Sequence, residues 1–205
     1  MGARPPGTYR TVARELEHEP DKIKGSRHIA RVARVTTTDE VEAHLEAVAR
    51  SYPQAGHHAF AFRLRGQGGV SRASDDGEPS GSAGAPILAR LEGAELLDVL
   101  VSVSRIFGGT KLGVGGLVRA YGGAASEALE LAGVCEVVPR TKLVIEHAYG
   151  DSAAVAAALH GAGAETLNSE YGPAVRIELI VDEHRAGDLK SAIRDGTCGR
   201  ASIEP

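Results

Sequence analysis

Tryptophan is absent, aromatic residues make up 4% of the chain, there are only two cysteines, and no apolar run reaches membrane-spanning length. Each scarcity excludes something. Cys135 and Cys198 lie far apart with neither C-x-x-C nor zinc-ligand spacing, which suggests neither a disulfide framework nor a metal finger and makes reduced, buried thiols the expectation. Residues 1–7 hold no apolar core of a secretory leader, and Pro6 stands where a myristoylation signal needs Ser or Thr. A soluble, cytoplasmic protein is the expectation. With 42% hydrophobic and 24% charged residues the composition is globular, and the few aromatics make its cores aliphatic. A basic excess is missing as well: the formal charge is −4 and the isoelectric point lies near 6.1. Indiscriminate coating of nucleic acid is therefore excluded, and any polyanion site must be local.

The sharpest absence is of acid. Residues 99–126 contain no Asp or Glu, yet Arg105, Lys111 and Arg119 fall inside that window. The apolar run over residues 96–103 has the length and β-branching of a buried strand. Gly108, Gly109, Gly113, Gly115 and Gly116 then break the pattern, and Leu117, Tyr121, Ala124, Ala128 and Leu131 resume it at helical spacing until Gly133. Strand, glycine loop and helix follow one another. Glycines without a Cβ let backbone N–H groups approach an anion, and the positive end of a helix adds to the attraction. The loop is neither a Walker A loop, which needs Gly-Lys-Ser/Thr, nor the dinucleotide fingerprint, because residue 118 is Val. The alternative is a turn that merely lets strand and helix pack closely.

At 205 residues the chain has room for two small domains. Residues 1–20 read as a polar, proline-bearing arm, with an edge strand at residues 9–13. A strand is expected over residues 29–35, then a helix opened by the Thr37/Glu40 capping box and ended by Pro53, then a strand at residues 57–63 that places His57 and His58 on opposite faces. Residues 66–69 form a turn, and a helix begins near Pro86 and ends before Gly93. Near Pro139 the pattern restarts. Residues 142–148, 165–169, 175–181 and 198–203 read as strands, with helices capped by Asp151 and Asp182 between them, giving βαββαβ, the ferredoxin-like arrangement. The domains are set at residues 1–139 and 140–205. The second holds seven Lys/Arg against ten Asp/Glu, so the first is the better home for a polyanion site.

Asp75, Asp76 and Glu78, with His57 and His58, could form an acid–base set or hold a hard cation. Turn chemistry favours a solvated or capping role for these acids, since there is no nucleophile elbow and no calcium-loop spacing. Neither a metal nor a cofactor is expected.

These segments also carry a resemblance. Residues 74–88, Ser-Asp-Asp-Gly-Glu-Pro-Ser-Gly-Ser-Ala-Gly-Ala-Pro-Ile-Leu, resemble the S-D-D-G-E-P-x-G-T-A-G-x-P-x-L signature of the IMPACT/YigZ family. Residues 104–121 resemble its second signature, R-[YW]-[YF]-G-G-x-x-L-G-x-G-G-L-x-R-A-Y. The His57-His58 strand and Lys24-Gly25-Ser26-Arg27 are similar to two shorter ones. Ser82 replaces a usual Thr, Ile106 a usual aromatic and His28 a usual Phe. The resemblance implies an α+β protein of two two-layer domains. The first would share its fold with the second domain of a small-subunit ribosomal protein and with translation factors, and the second would be similar to the last domain of elongation factor G. Eukaryotic members regulate translation by interfering with activation of a starvation-responsive kinase.

The leading expectation is a noncatalytic protein that binds RNA, the ribosome or a translation factor through residues 108–116. In that reading Arg105, Lys111 and Arg119 meet phosphates, with Lys24, Arg27 and one of His57/His58 on the same surface. Two alternatives are an enzyme acting on a phosphorylated or small-molecule substrate beside Asp75, Asp76 and Glu78, and a protein-interaction module.

Overall fold

The computed structural model describes residues 4–66 and 68–205, so the readings of residues 1–7 and of the turn at residues 66–69 fall partly outside the described residues. Tyr9–Glu136 and Val137–Pro205 form two compact units, and the segment ending at Thr8 groups with the second.

In the first unit the chain runs β1 (Tyr9–Val12), β2 (Leu16–His18), β3 (Arg27–Arg34), α1 (Thr38–Ser51), β4 (His57–Leu64), β5 (Val70–Ser74), α2 (Gly84–Gly93), β6 (Val99–Ile106), α3 (Val114–Ala132) and β7 (Val134–Val137). Five strands make an antiparallel sheet in the order β2-β3-β6-β4-β5. Period-two alternation sorts their side chains. Ala30, Val32, Ala59, Ala61, Val101 and Val103 pack with α2 and α3, while Ala33, Phe62, Leu64 and Leu100 pack with Val41 of α1. The capping box forms as read: the Glu40 N–H donates to Thr37 Oγ1, and the Glu40 carboxylate accepts from the Thr37 N–H.

Residues 9–18 are not part of an arm. β1 pairs with β7, a strand the sequence pattern does not announce, and Thr11 and Val12 are fully buried. Leu97 N–H donates to the Arg10 carbonyl and Thr11 Oγ1 to the Asp98 carbonyl, so the backbone on both sides is satisfied.

The second unit contains β8 (Arg140–His147), α4 (Ser152–Ala162), β9 (Glu165–Tyr171), β10 (Val175–Asp182), α5 (Glu183–Gly196) and β11 (Ser202–Glu204), with a single 3-10 turn before α4. Its sheet order is β11-β8-β10-β9, all antiparallel, over a core of Leu143, Ile145, Leu179, Val181, Leu189 and Ile193. This is the βαββαβ arrangement.

Several local expectations fail here. Neither Asp151 nor Asp182 makes a side-chain cap bond; Asp151 pairs instead with Arg200, and Asp182 Oδ1 lies 3.5 Å from Arg140 Nε. A guanidinium offers a charge-assisted partner that outcompetes a backbone N–H. The last strand begins at Ser202 rather than at residue 198, because Cys198 and Gly199 take positive φ and turn the chain out of α5, which leaves the Cys198 thiol exposed; Cys135 is half-buried, so neither thiol is buried as expected. Among the described residues no helix is long and apolar enough to cross a membrane.

Each unit has its own apolar core, so cleavage near residue 137 should leave residues 137–205 folded. Limited proteolysis followed by mass spectrometry and circular dichroism reads this directly. Loss of the whole chain with no protected C-terminal fragment at any protease concentration would count against it.

Candidate functional site

The site is organised around Arg105, near the end of β6. In register it lies opposite His28 of β3 on one side and His57 of β4 on the other. Directly opposed residues share a face, so the three form a row across the sheet. Of the three, the buried Arg105 guanidinium needs an acid. Glu78 supplies it: Arg105 Nη1 donates to Glu78 Oε1 at 2.7 Å, and the Tyr121 hydroxyl of α3 donates to the same oxygen at 2.7 Å. Arg105 is 7% exposed, Glu78 8% and Tyr121 fully buried. Burial, with the hydrogen bond to Glu78 next, pushes the Tyr121 phenol above its ordinary range.

His28 sits in this cluster without a hydrogen bond. It is 1% exposed, meets Tyr121 edge to face at 5.3 Å, and neither ring nitrogen has a partner. Burial, and then the Arg105 charge, lower its pKa from 6.5 to about 4, partly opposed by Glu78.

The acidic turn is a structural device. Burial alone would raise the Asp75 carboxyl, but N–H groups of Gly81, Ala83 and Gly84 donate to it and hold it below its usual range. Ala83 stands at the N-cap of α2 with no capping side chain, so Asp75 caps that helix from outside. Asp76 Oδ2 accepts from the His58 N–H at 2.6 Å, and the Asp76 carbonyl lies 2.7 Å from His57 Nδ1. His58 is on the opposite face, with Nδ1 2.8 Å from Ser104 Oγ. The expected capping role holds for Asp75, while Glu78 is an ion-pair partner.

The glycine loop is fixed by a second turn. Gly108 and Gly25 touch backbone to backbone: a Cβ on Gly108 would lie 1.9 Å from the Gly25 carbonyl carbon. Gly108 N–H also donates to the buried Ser26 Oγ at 3.2 Å. Gly109 and Gly113 have φ of 91° and 74°, whereas a Cβ at Gly115 meets only the Arg119 guanidinium at 3.8 Å. Gly113 is the N-cap of α3 and has no side chain to cap it; the first turn holds no acid. Its leading N–H groups are therefore open to an external acceptor.

The sequence-read cations disperse. Arg105 is buried against Glu78, so it is no exposed phosphate contact. Arg27 is engaged at Nε and Nη2 by Glu19, at 2.6 and 2.7 Å. Arg119 lines a groove with Glu19, Asp21 and Glu127. Lys24 and Lys111 are exposed on the two turns that touch. Tyr121 and Phe107 were not among the sequence-read site residues. Phe107 is 55% exposed, with the Arg105 guanidinium 5.6 Å from its ring centroid. Among the described residues no group of three or more His, Cys, Asp and Glu is placed to hold a metal ion.

Fold and site together define a two-unit α+β protein whose first unit is built on the acidic turn and glycine loop, and residues 24–129 match the family model of the Impact N-terminal domain. Relatives extend over both units. The chain is 33% identical to the IMPACT family member YvyE of Bacillus subtilis, covering 96% of this chain and 90% of the relative, and 31% identical to the IMPACT family member YigZ of Escherichia coli, covering 89% and 91%. An IMPACT family member from Thermus thermophilus is 37% identical over 89% of this chain and 99% of its own. A solved structure described as a hypothetical protein superposes with a TM-score of 0.69 at 28% identity, covering 96% of both chains. The chain belongs to the IMPACT family.

Two stability outcomes follow from the geometry. Because folded His28 has the lowered pKa, only the unfolded chain takes up its proton between pH 6.5 and about 4, so this residue's contribution falls away as pH drops through that window. The loss is about 3 kcal/mol. His28→Phe should be more stable than wild type by a margin that widens on acidification, read by urea unfolding at pH 7, 5.5 and 4.5; parallel stabilities would sink the idea. Gly108→Ala should cost about 3 kcal/mol or more, while Gly115→Ala, inside a helix with room for a methyl, should be neutral or stabilising by a few tenths of a kcal/mol. Equal melting temperatures for the two variants would show that the Gly25 contact is dispensable.

Proposed function

We propose that the protein is a noncatalytic RNA-binding protein acting on the translation machinery, with the loop at residues 108–116 and the turn at Lys24-Gly25 as its contact surface. The observation that carries this reading is the backbone contact between Gly25 and Gly108. It ties the turn bearing Lys24 to the loop bearing Lys111. Exposed Phe107 precedes the same loop and is backed by Arg105, an arrangement suited to stacking an unpaired base between phosphates held by the lysines. Asp75 and Asp76 accept from backbone N–H groups, and one oxygen of Glu78 accepts from Arg105 and Tyr121, which supports a structural role for the acidic turn. Arg119, set among acids, contributes least.

The test is titration of the full chain against ribosomal RNA at several salt concentrations. Lys24→Ala and Lys111→Ala should each reduce the log–log salt slope by about one unit, and Arg119→Ala by less. Phe107→Ala should weaken binding about tenfold with the slope unchanged, the size expected for one lost stacked base. Wild-type affinity that is indifferent to salt and to all four substitutions would rule the surface out for RNA. A protein partner lost on Phe107→Ala with little salt dependence would support the interaction-module alternative.

A further inference from the structure

Beside the loop lies a cleft of about 430 Å³ between the end of β6 and the start of α3. Phe107, Leu112, Val114 and Leu117 give it apolar walls, Arg105 and Glu78 also line it, and Lys111 stands among its polar residues. The buried pair is incompletely satisfied. Arg105 Nε has no partner, although the residue is 7% exposed. Glu78 Oε1 accepts twice, from Arg105 and Tyr121, and among the described residues no donor is recorded at Oε2. Arg105 Nε is closed off from the cleft, so a ligand there would meet Glu78 Oε2 and the rest of the guanidinium, for which it needs a donor beside an acceptor. The edge of a nucleobase carries that pair of groups on a flat ring, and flat rings suit apolar walls. The uncapped N–H groups at the start of α3, together with Lys111 in the cleft lining, supply a place for an anion.

We propose that this cleft is a purine-nucleotide site, in which the base edge meets Arg105 and Glu78 and the phosphate lies against Lys111 and the first turn of α3. A purine is favoured over a pyrimidine because its larger ring system covers more of the apolar wall. The proposal rests on the RNA reading of this face and deepens it: the occupant is one unstacked purine of the bound strand. A free mononucleotide shares the same chemistry, and the experiment separates the two sources.

The full chain is titrated calorimetrically with AMP, GMP, UMP, adenosine, guanosine and inorganic phosphate, and in parallel with single-stranded A-rich and U-rich oligoribonucleotides. AMP or GMP should bind at least tenfold more tightly than UMP or phosphate. Val114→Trp, which fills the cleft from an exposed wall position without touching the buried pair, should lose that binding at least tenfold while its melting temperature stays near wild type. Lys111→Ala should weaken the purine nucleotides about threefold and leave the corresponding nucleosides unchanged. The A-rich strand should outbind the U-rich strand, and Val114→Trp should erase the difference. Purine mononucleotides that bind no better than phosphate, or that bind Val114→Trp as well as wild type, overturn the site. If the strands still bind in a Lys24-dependent way in that case, the RNA reading survives without the cleft. Mononucleotide binding lost in Val114→Trp, with no binding of either strand, keeps the cleft as a free-nucleotide site and removes the RNA reading.

Discussion

Glu78 is the carboxylate on which the first unit's architecture turns. One oxygen receives the Arg105 guanidinium from β6 and the Tyr121 hydroxyl from α3, so a single buried acid joins the acidic turn, the central sheet and the longest helix. Taking an ion pair out of water is expensive, and such a pair stabilises little relative to apolar residues of the same shape. Removing one partner is another matter, because the surviving charge stays buried; that typically costs 3–5 kcal/mol, about half the stability of an ordinary domain. The pair thus specifies geometry. It holds the turn at residues 75–78 beside the glycine loop, and Asp75 in turn fixes the start of α2.

Where interactions are local, the sequence is readable. The Thr37/Glu40 box, the strand–loop–helix around residues 96–133 and the βαββαβ rhythm of the second unit all rest on neighbours a few residues apart. Glu78 and Arg105 are 27 residues apart and Glu78 and Tyr121 are 43 apart, and no period links them. The window without acids therefore looks like an anion site along the chain, although its first cation, Arg105, is neutralised by Glu78 from outside it. Asp151 and Asp182 mislead for the same reason: each occupies a capping position, but an arginine distant in sequence reaches it first. One signal for Tyr121 was present. It is the one side chain with a polar tip among Leu117, Ala124 and Ala128 on the buried face of α3, and a buried hydroxyl demands a partner.

The same long-range logic separates the glycines. A glycine repeat suggests uniform freedom, yet its members do different things. Gly108 is needed because Gly25 occupies the space of its Cβ, Gly109 and Gly113 adopt left-handed backbone, and Gly115 has room for a side chain. Only the first two roles bear on the loop's position, and the Gly25 contact is what makes the loop a fixed surface.

His28 shows how the buried cluster limits substitution. The IMPACT-type pattern carries Phe at this place, and a phenyl ring would keep the edge-to-face contact with Tyr121 while asking for no hydrogen bond. Histidine keeps the ring but brings two nitrogens into a site where neither is paired. It cannot recover by becoming charged, because burial and the Arg105 guanidinium both oppose protonation. Glu78, which would favour the imidazolium, is already committed to Arg105 and Tyr121. The cluster therefore tolerates an aromatic shape and rejects a second cation, because its acid is already engaged by the Arg105 guanidinium and the Tyr121 hydroxyl.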